Sequence, residues 1–143
     1  MIVLDTTVLV YAVGDDHELR EPGRRLVEAL GDGRVQATTT AEVIQEFVHV
    51  RARRRDRRDA ARLGEAFAEL LSPLLTVDRD DLRAGLELFR RNARLGAFDA
   101  VLAAAALERD AAALVSADAA FGSVRDLPFV HLGSSGLARL TGE

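Results

Sequence analysis

Four acids in this sequence stand where carboxylates can reach a common point. Asp5 follows directly on the apolar, β-branched run Ile2-Val3-Leu4, and Asp118 follows Ala113 to Ser116 in the same manner. Asp99 opens a run of small and apolar side chains that extends to Leu107, and Glu46 lies in a periodic segment four residues after Glu42. In an open parallel sheet, ligands bind beyond the carboxyl ends of the strands, so acids placed just after strands are the first candidates for chemistry. Each aspartate also has a simpler reading as a helix N-cap, where aspartate is among the best residues. Glu42 and Glu46 share a helical face with His49 and Arg53. They form either a solvated stripe or a like-charged pair that costs a few tenths of a kcal/mol, roughly, until a cation sits beside it. If the carboxylates converge in a partly buried cleft, their repulsion requires a divalent cation. All-oxygen ligation suits magnesium or manganese rather than zinc or copper. Such sites act on phosphate esters by orienting the phosphate, lowering the pKa of a water and stabilising the leaving oxygen.

Composition removes most competing chemistry. The chain has no cysteine, which excludes disulfides, thiol nucleophiles, thiolate zinc sites and iron-sulfur clusters. All 19 basic residues are arginine, so neither a phosphate-loop lysine nor a Schiff-base lysine exists. His17, His49 and His131 lack metal-ligand spacing and read as structural or solvated. A formal charge of -4 argues against a protein that simply coats nucleic acid. Residues 51 to 58 nevertheless hold a dense arginine run. It reads first as a solvated helix junction, and second as a basic track through Arg53, Arg54 and Arg57 for a polyanion. With no tryptophan and one tyrosine, base stacking has few platforms, which leaves phosphate contacts and strand shape for recognition.

At 143 residues the chain fits one domain, 1–143, able to bury a core without a staple. The N-terminus shows no basic leader, and the longest apolar stretch, Ala100 to Leu107, is far too short to span a bilayer, so a soluble cytoplasmic protein is expected. Strands are expected at Ile2 to Leu4, Val35 to Ala37, Leu74 to Val77, Ala113 to Ser116 and Phe129 to His131. Helices are expected after Asp5, from Pro22 to the Gly31-Asp32-Gly33 stop, from about 40 into the arginine run, and through Leu63, Phe67, Leu70 and Leu71. Another should run from 79 to 94 through Leu82, Leu86 and Phe89 with Gly96 as its stop, followed by a small-residue helix from Asp99 and a short one around Leu137 to Leu140. Strands alternating with helices predict a parallel sheet covered on both faces.

The ordered motifs Asp5-Thr6-Thr7-Val8-Leu9-Val10-Tyr11-Ala12, Gln45-Glu46-Phe47, Phe98-Asp99-Ala100 and Ser116-Ala117-Asp118-Ala119-Ala120-Phe121 resemble those of PIN-domain ribonucleases. The resemblance spans residues 5 to 121 and implies a three-layer α/β/α sandwich with a parallel sheet of about five strands. It also implies endonucleolytic cleavage of single-stranded RNA with Mg2+ or Mn2+. By motif match, Asp5, Glu46, Asp99 and Asp118 form the acidic site, with Asp5, Asp99 and Asp118 as metal ligands and Thr6 or Thr7 in support. Thr7 stands where asparagine or serine is common, and Ala120 where a further acid often appears. A stand-alone domain of this size looks most like a VapC toxin of a type II toxin-antitoxin system. That likeness implies a homodimer and a small antitoxin that blocks the acidic cleft.

Other classes fit less well. A haloacid-dehalogenase-like phosphatase needs a second aspartate at position 7, where this chain has Thr7, and a receiver domain needs a lysine. The remaining alternative is a degenerate PIN domain kept as an RNA- or protein-binding module.

Overall fold

The computed structural model describes residues 1–143. Four parallel strands, β1 (Ile2–Leu4), β2 (Ala37–Thr38), β3 (Ala113–Ser116) and β4 (Phe129–His131), form one sheet in the order β2-β1-β3-β4. Every residue of β1 and β3 is buried. Because successive side chains point to opposite faces, both faces of the sheet must be covered, as in an α/β/α sandwich. The covering helices are α1 (Thr6–Ala12), α2 (Arg20–Gly31), α3 (Ala41–Arg54), α4 (Arg57–Leu70), α5 (Arg79–Arg91), α6 (Ala97–Glu108) and α7 (Gly136–Thr141). One apolar core runs from β1 and β3 into α1, α2, α3 and α6.

The sheet has four strands rather than about five. Leu74 to Val77, expected as a strand, makes a single parallel bridge, Thr40 to Leu75, with the Leu75 N–H donating to Thr39 O at 2.9 Å. Side chains occupy the flanking carbonyls. Thr38 Oγ1 donates to Pro73 O at 2.8 Å, and Arg109 Nη2 donates to Thr76 O at 2.8 Å. The groups that a ladder would use are spent locally.

The helix from 79 forms, with its apolar stripe turned outward. Leu82 and Leu86 are 46% and 49% exposed, and Phe89 is exposed beside them. The buried side carries Asp81 and Gly85. Gly85 meets α6 so closely that an added Cβ would lie 2.6 Å from the Cα of Val101. The short side chains of α6 permit this approach. Asp81 is buried because Arg109 clamps it through two bonds of 2.8 and 2.9 Å, and this guanidinium holds the carboxyl down at about 2. Gly96 does not stop α5, which ends at Arg91 with Asn92 as its cap. Gly96 instead opens α6 as its N-cap. The arginine run divides between the last turn of α3, where cations suit the helix dipole, and the first turn of α4, with Asp56 capping the second helix between them.

Candidate active site

The acids converge because of strand register. β1 and β3 pair with Leu4 opposite Val115, which carries Asp5 alongside Ser116 at the carboxyl edge of the sheet. Asp5 is 3% exposed and caps α1. Its Oδ2 accepts from Ser116 Oγ at 2.7 Å, from Thr7 Oγ1 at 2.9 Å and from the Thr7 N–H at 3.5 Å. Each hydroxyl has one proton, and both protons point at this oxygen. The 3.2 Å approach of Thr7 Oγ1 to Ser116 Oγ is therefore a packing contact. Oδ1 takes none of these bonds and stays available.

Asp118 is exposed and uses Oδ1 to cap the 3-10 turn Ala119–Ser123, accepting from the Ala120 N–H at 2.9 Å. The chain before it is pinned from three directions. The Ala117 N–H donates to Thr7 Oγ1 at 2.9 Å, the Asp118 N–H donates to Ser116 Oγ at 2.9 Å, and His131 Nε2 donates to Ala117 O at 2.9 Å. The direction of the last bond follows from the other ring nitrogen, Nδ1, which accepts from the Gly133 N–H. Glu46, exposed on α3, is steered by Thr6 Oγ1, which donates to its Oε2 at 3.1 Å.

Asp99 differs from the other two aspartates. It sits in the first turn of α6, whose N-cap is Gly96, so it caps nothing, and its carboxyl takes part in no hydrogen bond. It is half-buried. Burial first, and then the charges of Asp5, Asp118 and Glu46, push its carboxyl up to about 7. The contributions of Asp5, Asp118 and Glu46 place the four acids in one electrostatic neighbourhood. All four line one cavity of about 340 Å³, together with Thr6, Thr7 and Arg54. An apolar groove of about 280 Å³ adjoins it, sharing Asp5, Glu46 and Asp99 and walled by Leu82, Leu86 and the 77%-exposed Phe98. As the side chains stand, no three acidic or histidine groups close round a single ion.

Of the expected residues, the fold gathers Asp5, Glu46, Asp99, Asp118, Thr6 and Thr7 at the cavity. Arg54 alone of the three arginines lines it, while Arg53 and Arg57 face solvent. Glu42 reaches the apolar groove. Sequence reasoning gave no role to Ser116 or the apolar wall. A hydroxyl at the last position of a strand that pairs with the acid-bearing strand was the available signal for Ser116.

A parallel sheet in the order β2-β1-β3-β4, with four acids gathered at its carboxyl edge, is an α/β scaffold with an acidic site. The PIN domain family model matches residues 2–127, and the chain belongs to that family. It is similar to Ribonuclease VapC7 of Mycobacterium tuberculosis, with 53% identity covering 100% of this chain and 99% of that one. It is also similar to Ribonuclease VapC13 of the same organism, 30% identical over 86% of this chain and 94% of that protein. Ribonuclease VapC23, again from Mycobacterium tuberculosis, is 34% identical over 69% of this chain and 78% of its own length.

Proposed function

We propose that this chain is a divalent-metal-dependent endoribonuclease that cleaves single-stranded RNA and acts as the toxin of a toxin-antitoxin pair. The observation that carries the reading is the Asp99 carboxyl, which is half-buried, bonded to nothing and surrounded by three other acids. Such an arrangement costs stability until a cation arrives, and an all-oxygen donor set suits Mg2+ or Mn2+. Asp5 is held by its two hydroxyl partners, whereas the unbonded carboxyl of Asp99 and the exposed Asp118 have the freedom to close on an ion. Asp5, Asp99 and Asp118 would hold it. When bound, the ion supplies the positive charge that acidifies a water and stabilises the oxygen leaving phosphorus.

The chain's own residues do the rest. Thr7 and Ser116 fix Asp5 by holding one of its oxygens. Thr6 holds one oxygen of Glu46, so that the other faces the cavity to orient the attacking water and take its proton. Arg54 neutralises a phosphate of the bound strand. Water oxygen bonds to phosphorus as the 3′-oxygen departs, and that oxygen takes a proton from solvent. Residues 1–143 act in this reading as one PIN-like domain. No helix is long and apolar enough to cross a membrane, and the reading assigns the protein to the cytoplasm. The full-length likeness to Ribonuclease VapC7 supports an RNA substrate and a cognate antitoxin, and the reading includes a homodimer. The exposed stripe of Leu82, Leu86, Phe89 and Phe98 beside the acids is a surface that such a partner would cover.

The test is incubation of the purified protein with an RNA in single-stranded and duplex form, with Mg2+, Mn2+ or a chelator. Cleavage of the single strand, lost with the chelator and restored by either ion, is expected. No cleavage, with a melting temperature indifferent to both ions, would leave the chain a binding module.

A further inference from the structure

A second cavity, of about 410 Å³, is lined from α2, α3 and α4 and by none of the four site acids. Four arginines line it, Arg20 and Arg24 from α2, Arg51 from α3 and Arg62 from α4, against only two acids, Glu28 and Asp59. Arg51 is spent on the fold: its Nη1 donates to Val13 O and its Nε to Asp59, both at 2.8 Å. Asp59 also takes Arg62 Nη2 at 3.2 Å, which uses up its charge. Arg20 and Arg24 pair with no acid. The Nε of Arg20 is buried and has no hydrogen-bond partner of any kind. Buried guanidinium N–H groups are normally satisfied, so the cavity lacks an acceptor. A guanidinium fork with a spare positive charge beside it selects an oxyanion.

Position within the molecule indicates which oxyanion. The acidic cavity shares Val10, Val50 and Arg54 with a small cleft, and that cleft shares Val13 and Arg51 with the arginine cavity. The three depressions are neighbours that share lining residues. Glu46, Val50 and Arg54 step along one side of α3 over eight residues, about 12 Å. A polyanion seated at the acids and leaving over Arg54 is led to Arg20 and Arg24. We infer that the cavity of Arg20, Arg24 and Arg62 is a phosphate-binding subsite for the RNA strand, several nucleotides from the bond that is cut. This rests on the ribonuclease reading. It gives the enzyme a grip on strand length that the acidic cavity alone does not provide.

The test compares wild type with Arg20→Gln/Arg24→Gln in chelator, binding a trinucleotide and a dodecamer of single-stranded RNA over a salt series. Each lost phosphate contact lowers the salt slope by about 0.7, so the double variant should lose about 1.4 in slope and about 20-fold in dodecamer affinity at 0.1 M salt. Trinucleotide binding and metal-supported cleavage of the trinucleotide should not change. Should the double variant fail to fold, the exposed Arg24→Gln alone carries half the slope change. An unchanged dodecamer slope, or an equal loss for both lengths, overturns the subsite. So does a polyglutamate peptide that competes as well as RNA of equal charge. If wild type neither binds nor cuts any RNA, the ribonuclease reading has failed instead. Inorganic phosphate then decides the cavity: stabilisation of wild type but not of the variant keeps an anion site there, and no difference removes it.

Discussion

Replacing Asp99 by asparagine should make the metal-free protein more stable while abolishing its cleavage of RNA. The carboxyl stands at about 7 rather than 3.8, raised first by burial and then by three neighbouring charges. A group whose folded pKa is raised in this way costs stability above its unfolded value. The cost begins near pH 4, grows through pH 7 and is constant above. At about 1.4 kcal/mol per tenfold change in protonation, the ceiling is about 4 kcal/mol at pH 8. Partial exposure and screening roughly halve it. Removal of an acid from the first turn of α6 gives back about 0.3–1 kcal/mol of favourable dipole interaction. No cap is lost, because Gly96 is the N-cap. The net gain is about 1–2 kcal/mol, a rise of about 3–8 °C in melting temperature. Thermal denaturation in chelator at pH 8 and pH 4.5 measures it: Asp99→Asn should melt higher at pH 8, with the gap shrinking to about a quarter at pH 4.5. With Mg2+ the order should reverse, because only wild type gains an ion. An asparagine variant no more stable than wild type at pH 8, or a gap independent of pH, would refute the reasoning that the four carboxylates repel one another at this point.

Three other outcomes follow from the geometry. Gly85→Ala should gain about 1 kcal/mol in helix propensity but lose about 2–3 kcal/mol by overpacking against Val101, so a lowered denaturant midpoint is expected and a raised one would show that α5 and α6 part freely. The Asp81–Arg109 clamp, with its carboxyl held at about 2, contributes stability that is complete above pH 4 and lost as pH falls from 4 through 2. Allowing for the quarter of Arg109 that is exposed, Arg109→Gln should narrow the stability difference between pH 5 and pH 2 by about 1 kcal/mol, as read by urea titration. The RNA products should carry 5′-phosphate and 3′-hydroxyl ends, and a 2′-deoxy sugar at the cut should be tolerated; mass spectrometry showing a persistent 2′,3′-cyclic phosphate would exclude water as the nucleophile.

What could be read from sequence was the part fixed by local pattern. The run Ile2 to Leu4 followed by an acid, and Ala113 to Ser116 followed two residues later by another, placed Asp5 and Asp118 at strand ends, and parallel pairing did bring those ends together. The cap reading held for these two and failed for Asp99, whose distance from Gly96 puts it inside the helix. What could not be read depended on long-range partners. Leu74 to Val77 has strand composition, but Thr38 and Arg109, distant in sequence, take its carbonyls. The 3.6-residue period through Leu82, Leu86 and Phe89 did predict the helix α5. The close approach of Gly85 to Val101 turns the helix so that Leu82 and Leu86 face outward. Period reports amphipathicity and does not say which side meets the core.

Asp5 and Asp118 each close the open end of a helical turn with the carboxyl group that the site requires, whereas Asp99 closes nothing. A lineage selected to silence the activity while keeping the body of the protein therefore has unequal routes. Substitution at Asp5 strips a cap and strands the hydroxyls of Thr7 and Ser116, so such descendants should be less stable. Substitution at Asp99 leaves a sounder molecule than its ancestor. Among decayed descendants that persist, the missing acid should most often be the one at position 99, and an intact Asp5 should be no sign that an enzyme is still at work.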